Sequence, residues 1–327
     1  MRGRRMGVGA LILALGGCGG GDAPAPTSGT PSSVSESVDA LPPGVQARSL
    51  SGELLTAPAL PPDVEEARQA DLAEALAELE ANPGDPDALI WVGRRQAYLG
   101  EYRDAIETFS QGVEAFPQDP RFYRHRGHRW ITVREFQRAV DDFRQGVELI
   151  RGTPDEVEPD GMPNPSGIPT STLQFNIWYH LGLAHYLRGE FEEALEAYES
   201  CMEVSTNPDA QVATSYWLYL TLGRLNRDQD AAAVLESIRA DMDILENQAY
   251  HDLLLLYKGE RSPDDLLGPQ DGEGSLQATT AAYGVAMYHH LRGESELATS
   301  LRRRIVAEID QWAAFGYIAA EADLEGR

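Results

Sequence analysis

Lysine is almost missing: Lys258 is the only one in 327 residues. Its scarcity removes most Schiff-base and phosphate-loop chemistries, and leaves positive charge to arginine, whose planar fork favours bidentate pairing with carboxylates. Cysteine is nearly as scarce. Cys18 and Cys201 sit in unlike contexts, so neither a disulfide framework nor a thiolate metal cluster is expected. Net positive charge is absent too, with 27 Lys+Arg against 52 Asp+Glu and a formal charge of -25, which disfavours nucleic acid as a partner. No glycine-rich phosphate loop, nucleophile elbow, zinc-protease helix or calcium loop occurs, and no catalytic residue or cofactor is assigned.

What is present begins at the amino terminus. Arg2, Arg4 and Arg5 precede an apolar run from Met6 to Leu15, too short to span a bilayer, and small residues lead to Cys18. Leu15-Gly16-Gly17-Cys18 resembles the lipobox of bacterial lipoproteins. That resemblance implies cleavage after residue 17, acylation of Cys18 and a place in the cell envelope, the outer membrane facing the periplasm being favoured because residue 19 is not aspartate. Residues 18–62, rich in Gly, Ala, Pro, Ser and Thr, read as a disordered tether reaching roughly 35–40 Å.

From Asp63 onward helical patterning takes over, and then a repeat. Gly93, Tyr102, Ala105, Phe109, Gly112 and Val113 recur 34 residues later as Gly127, Phe136, Ala139, Phe143, Gly146 and Val147. The set returns again, after one period plus 21 residues, as Gly182, Phe191, Ala194, Tyr198, Cys201 and Met202. With Trp178, Leu181 and Gly182, residues 86–205 resemble the tetratricopeptide-repeat (TPR) family. The fold expected is therefore all-α, a TPR-type α-solenoid of antiparallel helix pairs preceded by signal peptide and tether. It divides into an N-terminal helix with three repeats over 63–208, and divergent repeats with a capping helix over 209–327. Five prolines between Pro154 and Pro169 make the insertion 152–172 non-helical, a long loop expected on one edge of the superhelix.

Histidine is the remaining source of chemistry. His185 and His289 occupy equivalent repeat positions and should be packed between helices, while His125 and His128 are surrounded by Arg124, Arg126 and Arg129, which would repel a metal ion. Cys201 stands where earlier copies carry glycine, and should be a buried thiol. Asp141-Asp142 and Glu192-Glu193 should lie on solvated faces.

By resemblance to groove-lining positions of TPR proteins, Arg94, Arg121, Arg124 and His128 should face a concave groove, with Tyr179 and Tyr186 from the third repeat. Such a groove suits a protein or peptide partner with an acidic or carboxylate-terminated segment. The alternative use of the same arginines is pairing with local acids such as Asp87, Glu101 and Asp119. The expected function is a noncatalytic interaction scaffold or adaptor attached to the membrane through its lipid only; the alternative is a structural subunit of a larger envelope complex. A third reading puts an enzyme site in residues 209–275, built on His251.

Overall fold

The computed structural model describes residues 41–267 and 276–327; the expected signal peptide, Cys18 and the first part of the tether lie outside them. The rest of the tether is not structureless. Val45–Arg48 (β1) and Leu54–Thr56 (β2) pair antiparallel with a bulge between Val45 and Ala47, corrected from the expectation of an unstructured chain up to residue 62. The alternation in β1 turns Ala47 inward, and Ala47 and Leu55 join the main core. Gly52, at φ 96°, closes the turn in a conformation that costs glycine little. The hairpin is also tied by polar contacts. Arg103 donates from Nε to the Gln46 carbonyl (2.8 Å), and the Trp312 indole donates to the Thr56 carbonyl (2.7 Å).

Helices make up the remainder. Pro62–Ala81 (α1) leads into Pro86–Tyr98 (α2) with Tyr102–Ala115 (α3), Pro120–Thr132 (α4) with Phe136–Ile150 (α5), and Leu173–Leu187 (α6) with Phe191–Val204 (α7). The divergent half continues as Pro208–Arg224 (α8), Asp228–Glu236 (α9), Gln248–Lys258 (α10), Pro263–Leu267 (α11), Leu276–Leu291 (α12), Ser295–Glu308 (α13) and Phe315–Leu324 (α14). The pairing at 34-residue spacing matches the repeat in the sequence. Asp85, Asp119, Thr172 and Asn207 each accept a main-chain N–H at a helix start, with proline following at Pro86, Pro120 and Pro208. The turn between the two helices of a pair recurs as well. Gly100, Arg134, Gly189, Asn226 and Gly293 occupy it with φ of 82°, 69°, 75°, 57° and 80°. At Arg134 an arginine takes a left-handed conformation that other copies give to glycine or asparagine.

Close approach explains the small residues of the repeat. A Cβ on Gly93 would stand 2.5 Å from the Phe109 ring, one on Gly127 2.8 Å from Phe143, and one on Gly182 2.7 Å from Tyr198. Each glycine therefore admits the aromatic ring of its own repeat's second helix. Gly112 serves the junction between repeats, where Phe122 fills the space. Cys201, at the position equivalent to Gly112 and Gly146, is fully buried.

Among the described residues one continuous core runs from Ala47 to Ala322, and α10 packs on both α8 and α12. The last helix differs from expectation. Instead of closing the far end, α14 packs on α12 and α13 and turns back to α6. Two acids cause this. Glu321 pairs with Arg134 in the second repeat, and Asp323 pairs with Arg224 of α8 and, at 2.8 Å, with Arg302 of α13. Among the described residues no helix is long and apolar enough to cross a membrane.

Candidate ligand pocket

The first helices of successive pairs, α2, α4, α6 and α8, lie side by side. The repeat gives these helices equivalent positions, and Arg94 and His128 line one recess while Arg124 and Tyr179 line another. The six residues expected to share one groove fall into three places. Arg124, His128 and Tyr179 line a cavity of about 480 Å³ together with Arg129, His180 and Phe315. Arg94 stands beside it, donating from Nη1 to the Pro159 carbonyl (2.7 Å) and contacting the Tyr98 hydroxyl. Arg121 and Tyr186 are elsewhere, and their assignment to this groove is corrected.

Arg121 lies at the amino-terminal end of α4, where its guanidinium pairs with Asp119 (2.6 Å) and with Asp87. Those two carboxylates raise its pKa and satisfy it in place. Tyr186 is a core residue, 3 % exposed, whose hydroxyl meets that of Tyr283 at 3.1 Å. The local acids Asp87 and Asp119 thus claim Arg121.

The insertion is the other departure. It does not stay at an edge: Glu158 reaches the inner face, 9 % exposed at its side chain. Its carboxylate takes Arg124 Nε at 3.0 Å and Asn176 Nδ2 at 2.6 Å, with His125 Nε2 at 3.3 Å. Arg95 reaches the Gly161 carbonyl at 3.5 Å and pairs with Asp71 at 3.0 Å.

Arg129, the repeat equivalent of Arg95, has no carboxylate within ion-pair distance among the described residues. Its guanidinium lies over the Tyr102 ring at 5.5 Å. Burial, reinforced by Arg124 and only partly offset by Tyr102, pushes it down to about 10. At neutral pH it stays protonated, so the cavity wall holds a half-buried cation with no carboxylate against it, which an anionic ligand can pair.

The imidazoles add no charge. Burial and then Arg129 hold His128 well below its ordinary value, burial and then Arg124 do the same to His125, and His180 is pushed down to about 3 by burial and Arg124. His128 and His180 stack at 4.5 Å between centroids, with Phe315 5.3 Å from His128. Tyr179 accepts the Trp217 indole N–H at 2.8 Å and bonds Tyr250 at 3.0 Å. The lining also holds Glu246, whose carboxylate is engaged by the Asn164 and Thr170 side chains at 2.6 Å, so the Arg129 guanidinium among aromatic rings is the group suited to holding a carboxylate or a similar anion.

Other sequence candidates find structural roles. His185 bonds Glu190 at 2.7 Å and His289 bonds Glu294 at 2.5 Å, the same pair in two repeats. His251 Nε2 meets the Arg239 carbonyl at 2.8 Å, a packing contact within the divergent half. Asp142 is buried against Arg126 at 2.6 Å, against the expectation of a solvated face. Among the described residues, no three His, Cys, Asp or Glu side chains are grouped to hold a metal ion. Glu158 and Arg129 are the site residues that sequence spacing does not single out. The 34-residue step from Arg95 could have placed Arg129, but nothing local marks Glu158.

The tetratricopeptide repeat family model matches residues 175–207, the α6–α7 pair. No curated protein matches the chain. Among solved structures, the TPR protein YrrB, described as having an unusual peptide-binding site, is 14 % identical and aligns over 70 % of this chain and 97 % of its own, with a TM-score of 0.40. A thermophilic TPR protein of Thermus thermophilus is 21 % identical over 58 % of this chain and 92 % of its own, with a TM-score of 0.42. A putative kinesin light chain of Podospora anserina with TPR-like repeats is 17 % identical over 71 % and 97 %, with a TM-score of 0.41. The α6–α7 unit is thus a tetratricopeptide repeat by sequence, and the chain around it is an all-α, TPR-type solenoid.

Proposed function

We propose that this chain is a noncatalytic adaptor, held at a bacterial envelope by an acylated Cys18, which takes a carboxylate-bearing segment of a partner protein into the cavity between α4 and α6. The export-signal order of residues 1–18 supports the anchor, and the glycine after Cys18 favours the outer membrane, facing the periplasm. One observation carries the binding role: the unpaired Arg129 guanidinium at the wall of a 480 Å³ cavity. A space of that size admits a peptide end or one or two side chains, and not a long helix.

The test is crosslinking in native membranes with a photoreactive residue at Gln277 on the cavity rim. Capture of a discrete envelope protein, lost on Arg129→Met, is expected. An unchanged crosslink in that variant would remove the cavity from the binding role. A Cys18→Ala chain recovered with the membrane fraction would remove the anchor.

A further inference from the structure

We infer that the insertion 152–172 is a tethered occupant of a second binding surface on α2, α4 and α6, and that an acidic, extended segment of a partner protein replaces it there. This rests on the reading of the inner face as a binding surface, and adds what that face recognises.

The contacts are those of a bound peptide. Glu158 places one carboxylate between Arg124 of α4 and Asn176 of α6, and the next turns of backbone offer the Pro159 and Gly161 carbonyls to Arg94 and Arg95 of α2. Of these contacts to α2, α4 and α6, only that of Glu158 depends on side-chain identity. Any extended segment with an acidic residue at that point presents the same carboxylate and the same carbonyls.

What holds the insertion is polar contact. Val157, Met162 and Ile168 are all exposed, so its large apolar side chains bury little. Its ends are pinned by the Leu173 N–H to the Glu156 carbonyl (2.8 Å) and by a bridge between Val157 and Thr172, and its later part by Asn164 and Thr170, whose side chains each donate to Glu246 at 2.6 Å. Pro154, Pro159, Pro163, Pro165 and Pro169 keep the chain extended, which lowers the entropic cost of docking in cis and of docking again elsewhere.

Displacement without replacement is disfavoured. Lifting Glu158 away leaves the Arg124 guanidinium beside Arg94 without its carboxylate. The incoming segment must therefore carry its own carboxylate. Charge selects it, and the Arg94 and Arg95 side chains, donating to its backbone carbonyls, fix its direction.

The experiment uses the full chain and a fluorescein-labelled peptide, Asp155–Pro163 of this sequence, read by polarisation. Glu158→Gln protein is expected to bind the peptide at least tenfold more tightly than wild type, and to ignore a peptide carrying glutamine at the same place. Equal binding by both proteins, or equal binding of both peptides, overturns the inference. A second measurement does not depend on the variant's folding. Hydrogen exchange across residues 156–170 of the wild type should rise on peptide addition, and unchanged exchange at saturating peptide overturns it. A Glu158→Gln chain that dimerises and takes up no peptide assigns the surface to a second copy of this chain, which also overturns it. Arg129→Met should leave peptide binding within twofold, so that failure at this surface and failure at the cavity are distinguishable.

Discussion

Arg134 and Glu321, 187 residues apart in sequence, form an ion pair in which both side chains are 3 % exposed. Arg134 donates from Nη2 and Nε to one oxygen of Glu321, at 2.7 and 2.9 Å, while the other oxygen accepts the Leu50 N–H at 3.1 Å. The remaining donors of Arg134 reach the Thr132 and Trp312 carbonyls. One carboxylate therefore joins the hairpin, the second repeat and the last helix.

Glu321→Gln should destabilise the chain by about 3–5 kcal/mol, because it leaves a buried guanidinium without its counter-charge. Arg134→Gly together with Glu321→Gln should cost less than Glu321→Gln alone. The double change removes the stranded cation, and glycine adopts the left-handed turn without strain. Urea unfolding of the three variants checks the order. A double variant less stable than the single would show that the turn, and not the charge, governs this junction.

A graded series tests the repeat geometry. A Cβ at Gly112 overlaps the Phe122 ring, one at Gly127 comes to 2.8 Å from Phe143, and one at Gly146 to 3.3 Å from Ile177. Alanine should therefore cost most at Gly112, about 1–3 kcal/mol or more at Gly112 and Gly127, and least at Gly146. Melting curves that ranked Gly146→Ala as worst would contradict the packing.

Those glycines are legible in the sequence, because a period of 34 residues repeats both the small residue and the ring that fills it. Helix starts are legible for the same reason: Asp85-Pro86, Asp119-Pro120 and Asn207-Pro208 carry their capping chemistry locally. The hairpin at Val45–Thr56 is not, since its composition is that of a tether and its stability comes from Arg103 and Trp312, far away in sequence. Nor is the site as a whole. Arg94, Arg124, His128 and Tyr179 follow from the period, yet whether an arginine is free or neutralised depends on Glu158 and Asp87, which the period does not place.

Cys201 offers a simpler check. Its sulfur lies 3.2 Å from Thr214 Oγ1, and burial pushes the thiol up to about 12. Thiolate is the reactive form, so at pH 8 a folded Cys18→Ala chain should resist an aromatic disulfide reagent and react only as fast as it unfolds. Rapid stoichiometric reaction in native buffer would place Cys201 outside the core.

The histidines at the cavity make stability depend on pH in a defined direction. In the folded chain His125, His128 and His180 are neutral, with His180 pushed down to about 3. In the unfolded chain each takes up a proton near pH 6.5. Below that pH the unfolded state binds protons that the folded state refuses, so folding stability falls as the solution is acidified, by up to about 1.4 kcal/mol per pH unit for each such histidine. His185 and His290 are lowered in the same direction from shallower positions. Carboxylates protonate in the unfolded chain nearer pH 4, so between pH 6.5 and 5 the histidines dominate the slope. The midpoint of urea unfolding should therefore drop steadily from pH 7 to pH 5. His180→Phe keeps an aromatic ring against Phe143 and Phe315 while removing one of the titrating groups, and should make that decline shallower. A slope unchanged by this substitution would mean that His180 is not held neutral in the folded chain.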